Sequence, residues 1–397
     1  MQSVISAASV VLEDSTLEPG HVILNQGRIE LVAQGIYQGP IAKHHHFPDL
    51  TLCPGFIDIH VHGGSGADFM DGTLEAFHSV CKAHLKHGTT SLLATSTAAT
   101  MDSILAFLRV TRECKEARWQ DAARVLGAHF YGPYFFAEAR GCHPAEPITA
   151  PSSTHFEPFL DFADSICTAS VAPELEGAEA FVRACINKNI RCNAGHSHAS
   201  FSQVEAAVNW GVRHVDHLFC AMSDRAKLRQ TQTYPMRGGL MEATLFFPEL
   251  STEVIADGKH LADELLNLAF KIKGPDSLAL VTDANRALDM PDGEYWFGKK
   301  NEGCLILKKD GVGLTLDGKA LASSVMGMDQ SVRVMQRATK APLSSVIRMA
   351  SLTPAKIAGF DKDLGSIAVG KVADFVLLDS HLKVSKVFLK GELAIGN

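Results

Sequence analysis

No apolar run among the 397 residues is long enough to span a membrane. The start, Met1-Gln2-Ser3-Val4-Ile5, lacks the charged head and apolar core of a secretory signal. The nine cysteines contain no C-x-x-C pair and follow no regular spacing, which favours reduced, mostly buried thiols over a disulfide framework. Positive charge is not in excess: the net charge is −7, and no basic face stands out to bind nucleic acid. Low-complexity tracts and solenoid-type repeats are missing as well. These absences leave a globular chain expected in the cytoplasm. At 46% hydrophobic residues it can bury a large core, as one large domain or a barrel with an accessory domain.

Both ends read as β structure. Val22-Ile23-Leu24 and Arg28–Val32 flank Asn25-Gln26-Gly27, a hairpin signal. Near the other end, Gly370–Leu378 and Val384–Leu389 lead to a Lys390-Gly391 turn. The middle alternates strands and helices. Candidate strands are 54–62, 89–96, 124–131, 165–173, 190–196, 212–218, 252–257 and 278–283, with amphipathic stretches such as Leu74–Lys86, Met101–Glu113, Ala178–Lys188 and Phe201–Trp210 between them. Eight such strands imply an α/β fold, a (β/α)8 TIM barrel. The expected organisation is a catalytic barrel over 54–354 and a small β-sandwich domain formed by both termini, 1–53 plus 355–397.

In that fold catalytic groups sit at the C-terminal ends of the strands. His60 and His62 end the first strand, two apart and therefore on one face. Gly63-Gly64-Ser65-Gly66 then lets the backbone turn away. His196 ends the fifth strand, His217 the sixth and Asp283 the eighth. Imidazoles with a carboxylate suit zinc or another borderline divalent ion, which lowers the pKa of a bound water. An aspartate beside that water can take its proton and pass it to a leaving amine. Each residue alone has an ordinary alternative, as a hydrogen-bonded core histidine or a helix cap; their joint occurrence at four strand ends points to a site. His44-His45-His46 reads as an exposed polar loop.

With those residues in place the chain resembles the amidohydrolase superfamily, and more closely the N-acetylglucosamine-6-phosphate deacetylase family. The likeness runs through Pro54–Asp58, His87-Gly88-Thr89-Thr90, Gly132-Pro133, Gly141-Cys142-His143-Pro144, Ala172-Pro173-Glu174, Gly195-His196-Ser197, His217-Leu218-Phe219, Ala221-Met222-Ser223, Val281-Thr282-Asp283, Leu321–Ser324, Met328-Asp329 and Thr353-Pro354-Ala355, and on through Gly365–Asp379. The resemblance implies hydrolysis of the acetamido group of an amino-sugar phosphate. It implies Asp283 as general base and acid, and His196 and His217 as metal ligands or contacts to the water. It also implies substrate contacts from His143, from Cys220, Ala221 and Met222, and from His260, with Met326 or Met328 shaping the acetyl pocket. A homodimer is a further implication.

Two departures matter. Where the family carries a metal-binding glutamate before Gly-Pro, this chain has Tyr131. A phenol is normally neutral and a poor ligand. The expectation is therefore one ion per chain, zinc first, held by His60, His62, His196 and Asp283, with His217 holding the water or oxyanion. Tyr131 either donates to the substrate or fills space. The phosphate end also differs: Arg225, Lys227, Arg229 and Arg237 are available cations, with Arg229 and Arg237 carried forward as candidates. Competing readings keep the metal site for cyclic amide hydrolysis, base deamination or an unphosphorylated N-acetyl compound, or treat the barrel as an inactive binding protein.

Overall fold

Runs such as Phe56-Ile57-Asp58-Ile59-His60-Val61 are buried along their whole length, the pattern of strands covered on both faces. The computed structural model describes residues 2–41, 43–231 and 234–396. Eight strands form one parallel sheet in chain order: Phe56–Val61, Thr89–Thr95, Arg124–Phe130, Ile166–Val171, Arg191–Ala194, His214–Val215, Ser251–Ile255 and Leu278–Val281. They are called barrel strands 1 to 8 below. Helices alternate with most of them, and Leu74–Lys86 and Phe201–Trp210 have the bounds expected from the sequence.

The sheet closes between strands 8 and 1. Asp283 N–H donates to the His60 carbonyl at 2.9 Å, and His62 N–H donates to the Ala284 carbonyl at 2.9 Å. Below this seam the fully buried Asp58 accepts from Thr282 Oγ1 at 2.5 Å and from Thr282 N–H at 3.3 Å.

The two ends of the chain meet. Gln2–Val11, Thr16–Leu17, Gly20–Asn25, Arg28–Gln34, His44–Pro54, Phe375–Leu378, Val384–Leu389 and Glu392–Ile395 make one eight-stranded sheet. Ile5, Val22, Leu52, Phe375 and Phe388 share its apolar cluster. The Asn25–Arg28 hairpin turns through Gln26 and Gly27, both at positive φ (51° and 75°), as a two-residue primed turn requires. His44-His45-His46 is strand rather than loop. It pairs in parallel with Val4-Ile5-Ser6, and His44 Nε2 bonds Ser6 Oγ at 2.8 Å. Ladder pairing overrides the polar composition.

A second unexpected element is a three-stranded antiparallel sheet, Gly293–Phe297, Cys304–Lys309 and Val312–Thr315. It is fastened by Arg286, whose guanidinium reaches both oxygens of Asp71 (2.8 and 2.9 Å) and the Trp296 and Gly298 carbonyls (2.8 Å each).

His87, just after helix Leu74–Lys86, joins two further segments. Its Nε2 bonds Asp289 at 3.0 Å and its Nδ1 bonds Asp329 at 2.9 Å. Burial pulls the imidazolium down, but the two aspartates outweigh it and raise the ring to about 9. A raised histidine contributes stability below its unfolded pKa of about 6.5 and loses it as pH climbs through about 9. His87→Gln should therefore lower the thermal midpoint at pH 6, by an effect on the order of 2–3 kcal/mol. The gap to wild type should shrink by pH 9.5. An equal gap at both pH values would contradict this reading.

Candidate functional site

His62 directly follows barrel strand 1, and His196, His217 and Asp283 stand second after the ends of strands 5, 6 and 8. The backbone bends sharply there. His196, His217, Ala221 and Asp283 all have positive φ (46°, 22°, 48° and 47°). Such conformations cost about 1–3 kcal/mol each and persist where surrounding structure enforces them. Here it does: the Asp283 N–H is held by strand 1, and its carbonyl accepts from Ser324 N–H at 2.9 Å.

The histidines and the aspartate fall into two neighbouring groups. In the first, the ligand atoms of His60, His62 and Asp283 all lie within 4.8 Å of one another. Asp283 Oδ1 is 3.2 Å from His62 Nε2 and 3.7 Å from His60 Nε2. His60 Nε2 is buried and makes no hydrogen bond. Burial pushes the Asp283 carboxyl up, but the His62 hydrogen bond and the nearby histidines hold it below the usual carboxylate range. An ionised carboxylate beside an unpartnered imidazole nitrogen is a donor set that fits a divalent cation.

In the second group, His196 Nε2 faces His217 Nε2 at 3.2 Å, and the Tyr131 hydroxyl is 2.6 Å from His217 Nε2. Burial, then the neighbouring histidines, keep both rings neutral: His217 falls to about 4 and His196 lies well below its ordinary value. Burial, then nearby carboxylates, push the Tyr131 phenol well above its ordinary value. Tyr131 therefore donates, and His217 Nε2 accepts.

The four-ligand set expected from the sequence does not form as a unit. Among the described residues His196 is outside the first group. Its Nδ1 donates to the Ala139 carbonyl at 2.7 Å, which leaves Nε2 toward His217 instead.

These groups border a cavity of about 330 Å³ that also receives Tyr131, His143, Cys220, Ala221 and His260, all foreseen as substrate contacts. His143 Nδ1 accepts from Ala98 N–H at 3.2 Å. Burial, then the His196 ring, keep it neutral. Its remaining proton is therefore on Nε2, available as a donor. His260 is gripped by Asp257 at 2.8 Å. Burial lowers this ring, but the carboxylate outweighs it and raises its pKa.

Three expectations need correction. Arg229 and Arg237 are exposed and do not line the cavity; the cation that does is Lys227. Local charge pattern does not say which way a loop side chain faces. Met326 is also off the cavity, its methyl end beside Gly311, while Phe297, Leu321 and Ser323 supply that wall. Buried Asp58, Asp216 and Glu253 were not singled out from the sequence. Their signal was a carboxylate inside an apolar strand.

The amidohydrolase family model matches residues 51–394. The chain belongs to the amidohydrolase family. Among amidohydrolases of known activity, it is 32% identical over 345 residues to the N-acetylglucosamine-6-phosphate deacetylase of Vibrio furnissii, covering 87% of this chain and 83% of that one. It is 31% identical over 396 residues to the N-acetylgalactosamine-6-phosphate deacetylase of Escherichia coli O157:H7, covering 99% and 100%. The fold matches a Mycobacterium smegmatis N-acetyl-D-glucosamine-6-phosphate deacetylase mutant in complex with N-acetyl-D-glucosamine-6-phosphate, with TM-score 0.90, 26% identity and 99% of each chain covered. It matches the Pasteurella multocida N-acetylglucosamine-6-phosphate deacetylase with TM-score 0.91, 26% identity and full coverage of both chains. This family is metal-dependent, in keeping with the His60–His62–Asp283 group.

Metal should therefore stabilise the fold through that group. Adding zinc back to chelator-stripped protein should raise the thermal midpoint, by about 2.7 kcal/mol of stability at a hundredfold excess over Kd. His62→Ala should remove most of that rise. An equal rise in the variant would show that the ion sits elsewhere.

Proposed function

We propose that this amidohydrolase is a divalent-metal-dependent deacetylase. It cleaves the acetamido group of an N-acetylhexosamine 6-phosphate, of the glucosamine or galactosamine series, to acetate and the amino sugar phosphate. One observation carries the reading. The ionised Asp283 shares a buried position with His62 and the unpartnered His60 Nε2, beside a cavity that also receives His260 and Lys227. The Lys227 ammonium, with the His260 ring that Asp257 holds by Nδ1, suits a phosphate, and the activities of the relatives point the same way.

In this reading His60, His62 and Asp283 would hold one ion per chain, zinc by their donor chemistry. When bound, such an ion polarises the acyl oxygen and makes water acidic enough to react. Asp283 removes a proton from the attacking water as the water oxygen forms the new C–O bond. The same carboxyl then returns the proton to the amide nitrogen as the C–N bond breaks, giving acetate and a free amine. His143, with its proton on Nε2, donates to the substrate. The neutral His196 and His217 rings flank the reacting oxygen.

Tyr131 stays neutral and bonds His217. It supplies no charge in place of the family glutamate, so a second ion finds too few ligands. A homodimer and a cytoplasmic location belong to the same reading; the nine free cysteines favour a reducing compartment.

Asp283→Asn should fold normally and lose about 10²–10⁴-fold in kcat for acetate release. Unchanged turnover would remove Asp283 from the proton path. Tyr131→Glu should raise tightly bound metal from one ion per chain to two, read by elemental analysis of dialysed protein. Two ions in the unmodified protein would refute the single-ion reading.

A further inference from the structure

Barrel strand 7 reads Ser251-Thr252-Glu253-Val254-Ile255, and Glu253 is buried with 1% of its surface exposed. An isolated charge at that depth is strongly unfavourable, so its partners decide what it does. Oε1 accepts from His60 Nδ1 and from His217 N–H, the latter at 3.2 Å. Oε2 accepts from His214 Nε2 at 3.2 Å, while His214 Nδ1 bonds Ser251 Oγ at 2.8 Å. The Glu253 carbonyl takes the Leu218 N–H at 2.8 Å. Glu253 does not border the substrate cavity.

One residue thus grips strand 1 by a side chain and the turn after strand 6 by its backbone. The consequence for His60 is chemical. With Nδ1 donating to Glu253, Nε2 is the ring nitrogen left for a cation, whose binding displaces any proton there. That nitrogen is the one 3.7 Å from Asp283 Oδ1 and without a hydrogen bond. The consequence for His217 is geometric. Its N–H is fixed in the turn whose φ is 22°, which sets where its ring meets His196 and Tyr131.

His60, Asp216 and Glu253 also bring ligand atoms within 4.8 Å of one another. Yet every group bonded to the Glu253 carboxylate is an N–H donor. A cation there would have to displace the His60 Nδ1 proton that the carboxylate holds, so the arrangement is that of a hydrogen-bonded support.

We propose that Glu253 is a positioning residue for the metal centre. It holds His60 with Nδ1 protonated and Nε2 presented to Asp283 and His62, and it ties the His217 turn to the same point. This rests on His60 being a metal ligand, as in the function proposed above. Partners of this kind commonly tune metal affinity by 10–100-fold.

The test uses the full-length zinc-loaded protein. Glu253→Gln keeps the shape but loses the charge, and its amide NH2 must face one of the present donors. Zinc affinity, measured by competition with a chromophoric chelator, should fall about 10–100-fold. The visible spectrum of the cobalt-substituted variant should shift. In a His60→Asn background the same substitution should cost little more, because Glu253 acts through His60. An equal loss in both backgrounds, or wild-type affinity and spectrum in Glu253→Gln, would overturn the proposal. If Glu253→Gln does not fold, the unmodified protein decides. Nitrogen-15 shifts of its histidines should show His60 with a proton on Nδ1 and metal on Nε2; metal on Nδ1 would overturn the proposal. A wild type that binds no zinc would overturn the metal reading itself, and this inference with it.

Discussion

The seam between barrel strands 8 and 1 is the constraint on which the site depends. A parallel sheet closes only if its last strand finds its first, and here the closing bonds run through the candidate site residues themselves. Asp283 N–H binds the His60 carbonyl, and His62 N–H binds the Ala284 carbonyl. Closure therefore sets the Asp283 carboxylate against His62 at 3.2 Å, with Ser323 Oγ also donating to Asp283 Oδ1 at 3.3 Å. Arg286, three residues on, anchors the segment that follows to Asp71 and to the three-stranded sheet, whose Phe297 forms part of the cavity wall.

The barrel interior is unusually rich in charge, and burial alone sorts much of it. Desolvation lifts Asp58 to about 7 and Asp216 to about 6, against opposing hydrogen bonds and histidine charges. Glu253 and Asp283 behave differently. Histidine partners more than offset burial and keep both ionised. These two lie at opposite nitrogens of one ring, His60. The ring is thereby aligned along a line from Glu253 to Asp283. Around it, His143, His196 and His217 are neutral, so the cavity offers nitrogen ligands and hydrogen-bond donors without a crowd of positive charge.

The barrel was legible because its strands are short apolar runs between amphipathic helices. The expected strand 278–283 is seen at Leu278–Val281. The strand-end positions of His60, His62, His217 and Asp283 were legible because such placement of candidate groups is a rule of the fold. What failed had local causes. His196 was assigned to the first group, but a single carbonyl, that of Ala139, turns it toward the second. His44–His46 looked like a loop because the parallel partner that makes it a strand is not visible in a local pattern. Glu253 was passed over because a carboxylate within a strand has no meaning until its partner, His60, is known, and 193 residues separate the two. The cations of the 225–237 segment could be counted but not oriented, and the structure places Lys227 rather than Arg229 or Arg237 at the cavity.

The most direct test is acetate release by the zinc-supplemented protein on four compounds: the 6-phosphates of N-acetylglucosamine and N-acetylgalactosamine, and the two free sugars. Deacetylation of one phosphate ester in clear preference to the free sugars is the predicted result. It would also decide the epimer. Silence on all four, with ammonia released from a cyclic amide or a base instead, would contradict the assignment of this cavity to an amino sugar phosphate.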